Sequence, residues 1–245
     1  PNLKKDRRAF GRAISELGTF ISDIADRNGV VLMPVFALGR TQEILGVLHE
    51  LGQRGKIPPL PVYISGLAHA ICRIYDATRH DSVRRRPSIC LEELYESVFE
   101  PGRVDDPNLL KRPSILADPS GMMYPNTTSN VLAGQVLPDP RHGIAFVGFL
   151  DPDSPGHRVA AADVGDQVDL GRENGASIEI GCSVRSFDFT AHSRASQLIQ
   201  LVREINPKRV VLVHGDDEAV HALHRSLENE GWSSIVAEPG VVVEI

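Results

Sequence analysis

Apolar residues near the start of the chain recur every third or fourth position. Phe10, Ile14, Leu17, Ile21 and Ile24 form one stripe, which predicts a helix over residues 3–28 closed by Asn28–Gly29. The pattern then changes period. Val30–Val35 is a short continuous apolar run and reads as a strand, followed by a helix from Gly39 to about Leu51. A loop at Pro58–Pro61, a strand at Val62–Ile64 and a helix at Leu67–Thr78 come next. Residues 79–113 are polar and irregular, with one predicted helix at Leu91–Phe99. Ile115–Ala117 reads as a strand, Thr127–Leu137 as a helix and His142–Phe149 as a strand. Strands that are apolar on both faces and separated by helices predict an α/β fold around a buried parallel sheet.

Pro152–Gly175 is rich in Gly and Asp and reads as a connection. After it, a long strand at Ser177–Phe189 and a helix at Ala195–Ile205 are expected. A strand at Val210–Val213, a helix at Asp216–Glu230 and final strands at Ser234–Val236 and Val241–Ile245 complete the reading. No internal repeat and no low-complexity tract is present.

Composition adds limits to this outline. The chain has 245 residues, 42% hydrophobic and 24% charged, which is ordinary for a globular protein. Its net charge of −6 argues against coating nucleic acid by bulk charge, but not against a local basic groove. The charge is unevenly placed: residues 1–112 carry 17 Lys/Arg against 14 Asp/Glu, and residues 113–245 carry 9 against 18. Basic clusters occur at Lys4, Lys5, Arg7, Arg8 and Arg12, and at Arg79, Arg84, Arg85 and Arg86. They suit forked phosphate contacts or serve as solvated surface. Three scattered cysteines, Cys72, Cys90 and Cys182, are too few for a disulfide framework or a four-thiolate zinc site, so a reducing, cytoplasmic setting is expected. No apolar run approaches the roughly 18 residues of a membrane span, so no membrane partner is expected. Pro1 in place of Met leads us to expect a cut rather than a natural start.

Candidate chemistry clusters where predicted strands end. Val30–Val35 leads to Gly39–Arg40, Val62–Ile64 to Ser65–Gly66, and Ile115–Ala117 to Ser120–Gly121. In an open parallel sheet such turns share the carboxyl edge, where ligands bind. The helix starts that follow offer free N–H groups to phosphate. Glycine in a strand–helix turn also has a purely geometric reading. No Walker loop and no G-x-G-x-x-G occurs, so a nucleotide cofactor is not expected.

Two histidines repeat one arrangement. His214 directly follows the apolar run Val210–Val213, with Gly215 and two aspartates behind it; His192 follows Phe189–Thr190 and precedes a helix. A histidine at a rigid strand end is well placed for a metal, while each has a structural reading as well. A helix N-terminus would lower the pKa of His192, so a proton-donating role would need a compensating negative charge. His221 and His224 share a helix face without a third ligand and read as surface.

These segments together resemble one family. Pro34-Val-Phe-Ala-Leu-Gly-Arg-Thr-Gln-Glu43 resembles the "P-x-F-A-x-G-R-x-Q-E" segment of β-CASP proteins, metallo-β-lactamase-fold nucleases that process RNA or, less often, DNA. Ser120-Gly-Met122 matches their "S-G-M" turn. Ile144–Phe149 with Ser154–Arg158 is similar to "I-x-F-V-G-Y…G-T-x-G-R". Phe189–His192 is similar to "F-S-A-H-A-D", and Pro207–Gly215 to "P-K-x-V-x-L-V-H-G-E". The form is nearer to the cleavage and polyadenylation factor branch than to ribonuclease J.

The resemblance implies a β-CASP domain over residues 1–182. It places the C-terminal return into a metallo-β-lactamase αββα sandwich over 183–245, with a margin of about ten residues at the boundary. It implies two zinc ions, His214 as one ligand, and His192 beside the scissile phosphate assisting proton transfer. Arg40, Ser120, Gly121 and Thr190 would line an RNA groove. RNA is the implied partner, and a homodimer is a further candidate. The family's "H-x-H-x-D-H" zinc motif does not occur in these residues, so the chain alone is expected to be inactive. Arg194, Asp216–Asp217 and Tyr124-Pro-Asn126 depart from the family pattern. They leave open an inactive scaffold in an RNA-processing complex, a DNA-directed nuclease, or an unrelated small-molecule enzyme. Aromatic residues total 5%, so extensive base stacking is not expected.

Overall fold

A computed structural model describes residues 3–81, 83–84, 87–95, 97–99, 108–173, 175–189 and 193–242, with residues 3–9 and 97–99 described by their backbone alone. The chain divides into two compact bodies, Arg8–Ala191 and, separately, Pro1–Arg7 with His192–Ile245.

The first body is built on helix α1 (Leu3–Asp26) from Arg8 onward, strand β1 (Val30–Pro34), α2 (Arg40–Gln53), β2 (Val62–Ser65) and α3 (Gly66–Ala77). A single 3-10 turn at Leu91–Glu93 precedes β3 (Ser97–Phe99), β4 (Ser114–Asp118), α4 (Thr128–Val136) and β5 (Gly143–Phe146). Then come α5 (Pro155–Ala161), β6 (Gln167–Asp169), β7 (Ser177–Glu179) and β8 (Ser183–Ser186). Six strands form one sheet in the order β3-β2-β4-β1-β5-β8, and every neighbouring pair is parallel. The α/β class and the buried parallel sheet are therefore as the apolar runs predict.

Alternate residues of each central strand enter different cores, as the two-residue period requires. Val31, Met33, Ile115 and Ala117 face Leu17, Ile21, Ile44 and Leu45 of α1 and α2. Leu32, Leu116, Ile144 and Phe146 face Leu132 and Val136 of α4 and Val159 of α5. Both faces are closed to water, which explains why these strands are uninterrupted apolar runs.

Several expectations need correction. The helix predicted at Leu91–Phe99 is a 3-10 turn followed by an edge strand. The Asp76 carboxylate takes the N–H groups of Leu91 (2.9 Å) and Glu92 (3.0 Å), fixing a short turn, and β3 then pairs with β2. The strand predicted at His142–Phe149 is confined to Gly143–Phe146. The Pro152–Gly175 connection contains α5 and β6. The long strand predicted at Ser177–Phe189 is two strands with different partners: β7 pairs antiparallel with β6, and β8 pairs parallel with β5. Gly181 marks the break, because a Cβ there would lie 2.5 Å from the Pro138 carbonyl oxygen. The N–H groups of Gly181 and Cys182 both donate to the Leu137 carbonyl, at 2.8 and 2.9 Å.

The second body holds α6 (Ala195–Ile205), β9 (Val210–Leu212), α7 (Asp217–Asn229) and β10 (Ser234–Val236). β9 and β10 form a two-stranded parallel pair. Val241 turns back through its N–H to the Glu238 carbonyl, so the strand expected at Val241–Ile245 does not form at 241–242; its last three residues lie outside the described ones. Among its described residues only Leu227 and Ser234 are buried. Ser234 is tied on three sides: its N–H and hydroxyl donate to Glu228 Oε1 at 2.7 and 3.0 Å, and its oxygen meets His224 Nδ1 at 2.7 Å. A hydroxyl has one proton, so His224 is the donor in that third bond. No helix among the described residues is long and apolar enough to cross a membrane.

Candidate functional site

The strand order of the first body brings turns that are distant in sequence to one edge. The turn after β4 lies between those after β2 and β1, with the turn after β5 beyond β1. Bonds from the Gln42 and Thr41 side chains to the main chain lock the turn after β1. Gly39, at φ 80°, donates its N–H to Gln42 Oε1 at 2.7 Å, and Gln42 Nε2 returns to the Ala37 carbonyl at 3.0 Å. Thr41 donates both its N–H (3.1 Å) and its hydroxyl (2.9 Å) to the Phe36 carbonyl.

Arg40 opens α2 but does not project as an open cation. It is 7% exposed and its guanidinium pairs with Glu43 at 2.5 Å. Its Nε lies 3.8 Å from where a Cβ on Gly148 would stand, so it bridges toward the turn after β5.

Ser120 and Gly121 lie in the turn after β4. A Cβ on Gly121 would come within 3.3 Å of both the Phe36 nitrogen and the Val35 carbonyl carbon, so glycine lets the two turns touch backbone to backbone. The start of α4 holds the turn from beneath. Ser129 donates its hydroxyl to the Ser120 carbonyl at 2.7 Å, and Asn130 Nδ2 donates to the carbonyls of Met123 (2.8 Å) and Leu170 (2.9 Å). Arg172 donates through Nε to Asn130 Oδ1 at 2.9 Å and through Nη2 to the Asn130 carbonyl. The buried amide is thus fully engaged, which fixes its orientation and the turn above it.

One residue of this edge is unusual. Asp118 ends β4, is fully buried, and neither carboxylate oxygen has a hydrogen-bond partner among the described residues. Burial pushes its carboxyl up to about 7. Sequence reading missed Asp118, Ser129 and Asn130. The available signal was an acid ending an otherwise apolar strand, and two polar residues at the start of a buried helix.

In the second body, His214 lies two residues past the end of β9, is exposed, and has left-handed backbone at φ 62°. An exposed imidazole at a strand end is a competent zinc ligand. Among the described residues no group of three His, Cys, Asp or Glu is placed to hold a metal, so any metal set that includes His214 needs ligands from outside them. His192 and Thr190 lie outside the described residues. Arg40, Ser120 and Gly121 share the sheet edge of the first body, and His214 belongs to the second.

Comparison with known proteins bears on both bodies. Residues 41–159 match the Beta-Casp domain, and residues 177–237 match the Zn-dependent metallo-hydrolase RNA specificity domain. The chain is 27% identical over 240 residues to transcription termination factor FttA of Methanosarcina mazei, covering 89% of this chain and 36% of that protein. It is 27% identical over 217 residues to cleavage and polyadenylation specificity factor 73 of Drosophila melanogaster, covering 86% and 31%. Integrator complex subunit 11 of Danio rerio is 24% identical over 244 residues, covering 92% and 39%. The chain spans about a third of the length of the curated relatives it matches.

Proposed function

Because the chain belongs to the β-CASP family of metallo-β-lactamase-fold proteins, we propose that it serves in a zinc-dependent nuclease that hydrolyses phosphodiester bonds in RNA. The observation that carries this reading is the pairing of the two matched domains, one of them an RNA specificity domain of zinc-dependent metallo-hydrolases, in a single chain. The domain division at about residue 182 belongs to the same proposal.

In this reading His214 binds zinc, and the remaining ligands come from outside the described residues. When bound, zinc activates water at neutral pH and stabilises charge on the phosphoryl oxygens. His192 assists proton transfer beside the scissile phosphate, and Thr190 lines the site. Ser120 and Gly121 present a rigid turn to the RNA backbone. Arg40, already paired with Glu43, acts mainly by fixing that edge. Three free thiols support a cytoplasmic setting.

The test uses the full-length protein with matched RNA and DNA strands. His214→Ala is expected to lose zinc and activity together. His192→Ala is expected to keep zinc and lose about 10²–10⁴-fold in rate. Full zinc occupancy after loss of His214 overturns its assignment as a ligand. Cleavage of DNA in preference to RNA, or no cleavage by zinc-loaded wild-type protein, overturns the substrate or the enzymatic reading respectively.

A further inference from the structure

His142 is 2% exposed and directly precedes β5, at the amino ends of the strands and opposite the carboxyl edge of the candidate site. The β1–β5 ladder starts with Val31 opposite Gly143, so the N–H of Val30 falls just before it. That N–H donates instead to Nδ1 of His142, at 3.1 Å and away from water. A backbone donor so buried is destabilising when it has no acceptor. The bond also fixes the state of the ring. An Nδ1 that accepts carries no proton, so the imidazole is neutral and its one proton is on Nε2.

The main chain of the same residue is tied as well. Its N–H donates to the Asp139 carbonyl at 3.1 Å, and its carbonyl accepts the Ser183 N–H at 3.2 Å. His142 thus joins the starts of β1, β5 and β8. The fit is close, because a Cβ on Gly29 would overlap the Arg141 carbonyl oxygen. Charged neighbours come from three sides. On its own turn, Asp139 lies 3.6 Å from Nε2, but Arg141 already holds that carboxylate at 2.6 Å. Arg27, just past α1, donates to the Pro140 carbonyl (3.0 Å) and the Ser183 hydroxyl (3.1 Å). Cys182, just before β8, is buried, and its thiol is pushed up to about 12. β1 and β5 carry no charged residue. Burial holds the His142 imidazole below its ordinary value; Asp139 opposes that shift and Arg141 adds to it.

We propose that His142 is an acid-sensitive latch on the start of the central sheet: neutral, it ties β1 to the turn before β5, and a proton taken up on Nδ1 releases that end. The proton comes from solvent and turns the acceptor into a donor, which then faces the Val30 N–H as a second donor. Asp139 is the one carboxylate beside the resulting imidazolium, and it is shared with Arg141. The folded chain favours the neutral ring, so this contribution is full above the unfolded value near 6.5 and is lost as pH falls below it. The proposal is independent of the nuclease reading.

The experiment follows amide hydrogen exchange of the full-length protein by mass spectrometry at about pH 7.5 and pH 5.5, corrected for the intrinsic exchange rate. Protection of the Val30 amide is expected to fall about 5- to 10-fold in acid, while that of β2 (Val62–Ser65) stays the same. His142→Asn places an amide oxygen near the position of Nδ1 and cannot titrate, so Val30 should remain protected at both pH values. Asp139→Asn keeps an acceptor for the Arg141 N–H (2.9 Å) but removes the charge facing Nε2, and is expected to move the loss to lower pH. Constant protection of Val30 in wild-type protein overturns the proposal. So does the same acid loss in His142→Asn, which would assign the proton to another group. Equal losses at Val30 and β2 would mean general unfolding and also overturn it. A loss that stays at the same pH in Asp139→Asn overturns the proposed balance of charges, whether or not the Asn variant at 142 folds.

Discussion

The two bodies of this chain use the same elements to different degrees of completion. In Arg8–Ala191 the central strands are buried on both faces and two cores close over them. In His192–Ile245 the strand β9 is half-exposed throughout, no residue of α6 is buried, and Leu201, Ile205 and Val213 face water. Both strand types look alike in sequence, as short runs of Val, Leu and Ile. An apolar run therefore indicates a strand that can be buried, and the number of neighbouring layers decides whether it is. The second body also carries polar ties, such as Ser234 with Glu228 and His224 and the two-pronged Arg203–Glu230 pair at 2.6 and 2.8 Å.

The contrast is open to direct attack. The largest effect is expected from Phe146→Ala, which empties a site 1% exposed between sheet and helices and should cost about 3–5 kcal/mol in urea denaturation. Val211→Ala, on a half-exposed strand, should cost under about 1 kcal/mol. Equal costs would show that β9 is as deeply packed as β5.

A smaller effect concerns Asp118. Its folded-state pKa is raised from 3.8 to about 7, so the folded protein holds this proton more tightly than the unfolded chain does. That contribution to stability is full below the unfolded value and is lost as pH rises through about 7. Asp118→Asn should therefore gain about 2–3 kcal/mol on wild-type between pH 5 and pH 8. A flat difference across that range would mean that the carboxylate is ionised and partnered. The smallest effect is expected at the surface of the second body. Arg203→Gln should lower its stability by under about 1 kcal/mol, and added salt should shrink the difference further. A larger loss would mark the pair as structural rather than peripheral.

Much of the fold could be read from periodicity. The limits of α6, Ala195–Ile205, follow directly from its amphipathic spacing, and the parallel sheet follows from strands that are apolar on both faces. The reading failed where a tertiary contact outweighed local pattern. The run Ser177–Phe189 is long enough for one strand, but the approach of Gly181 to Pro138 divides it between two sheets. Leu91–Phe99 has helical composition, yet the Asp76 carboxylate, from another helix, fixes a short turn at its start.

At the candidate site, the turn at Ser120–Gly121 was legible because glycine is required for the backbone contact with Val35–Phe36. The buried pairing of Arg40 was not, since only the folded turn brings Glu43 and Gly148 to it.

The strand order also has a consequence for how the chain is made. β1 is paired with β4 and β5 only, and Val30 lies opposite Ser114, 84 positions further along. During synthesis β1 therefore emerges well before either neighbour exists, and β2 likewise waits for β4. Contacts so distant in sequence form slowly, and unpaired apolar strands are prone to wrong association in the interval. The arrangement that gathers distant turns at one edge thus imposes a wait on the nascent chain. The interval between translating residue 34 and residue 118 is when it most needs protection from its neighbours.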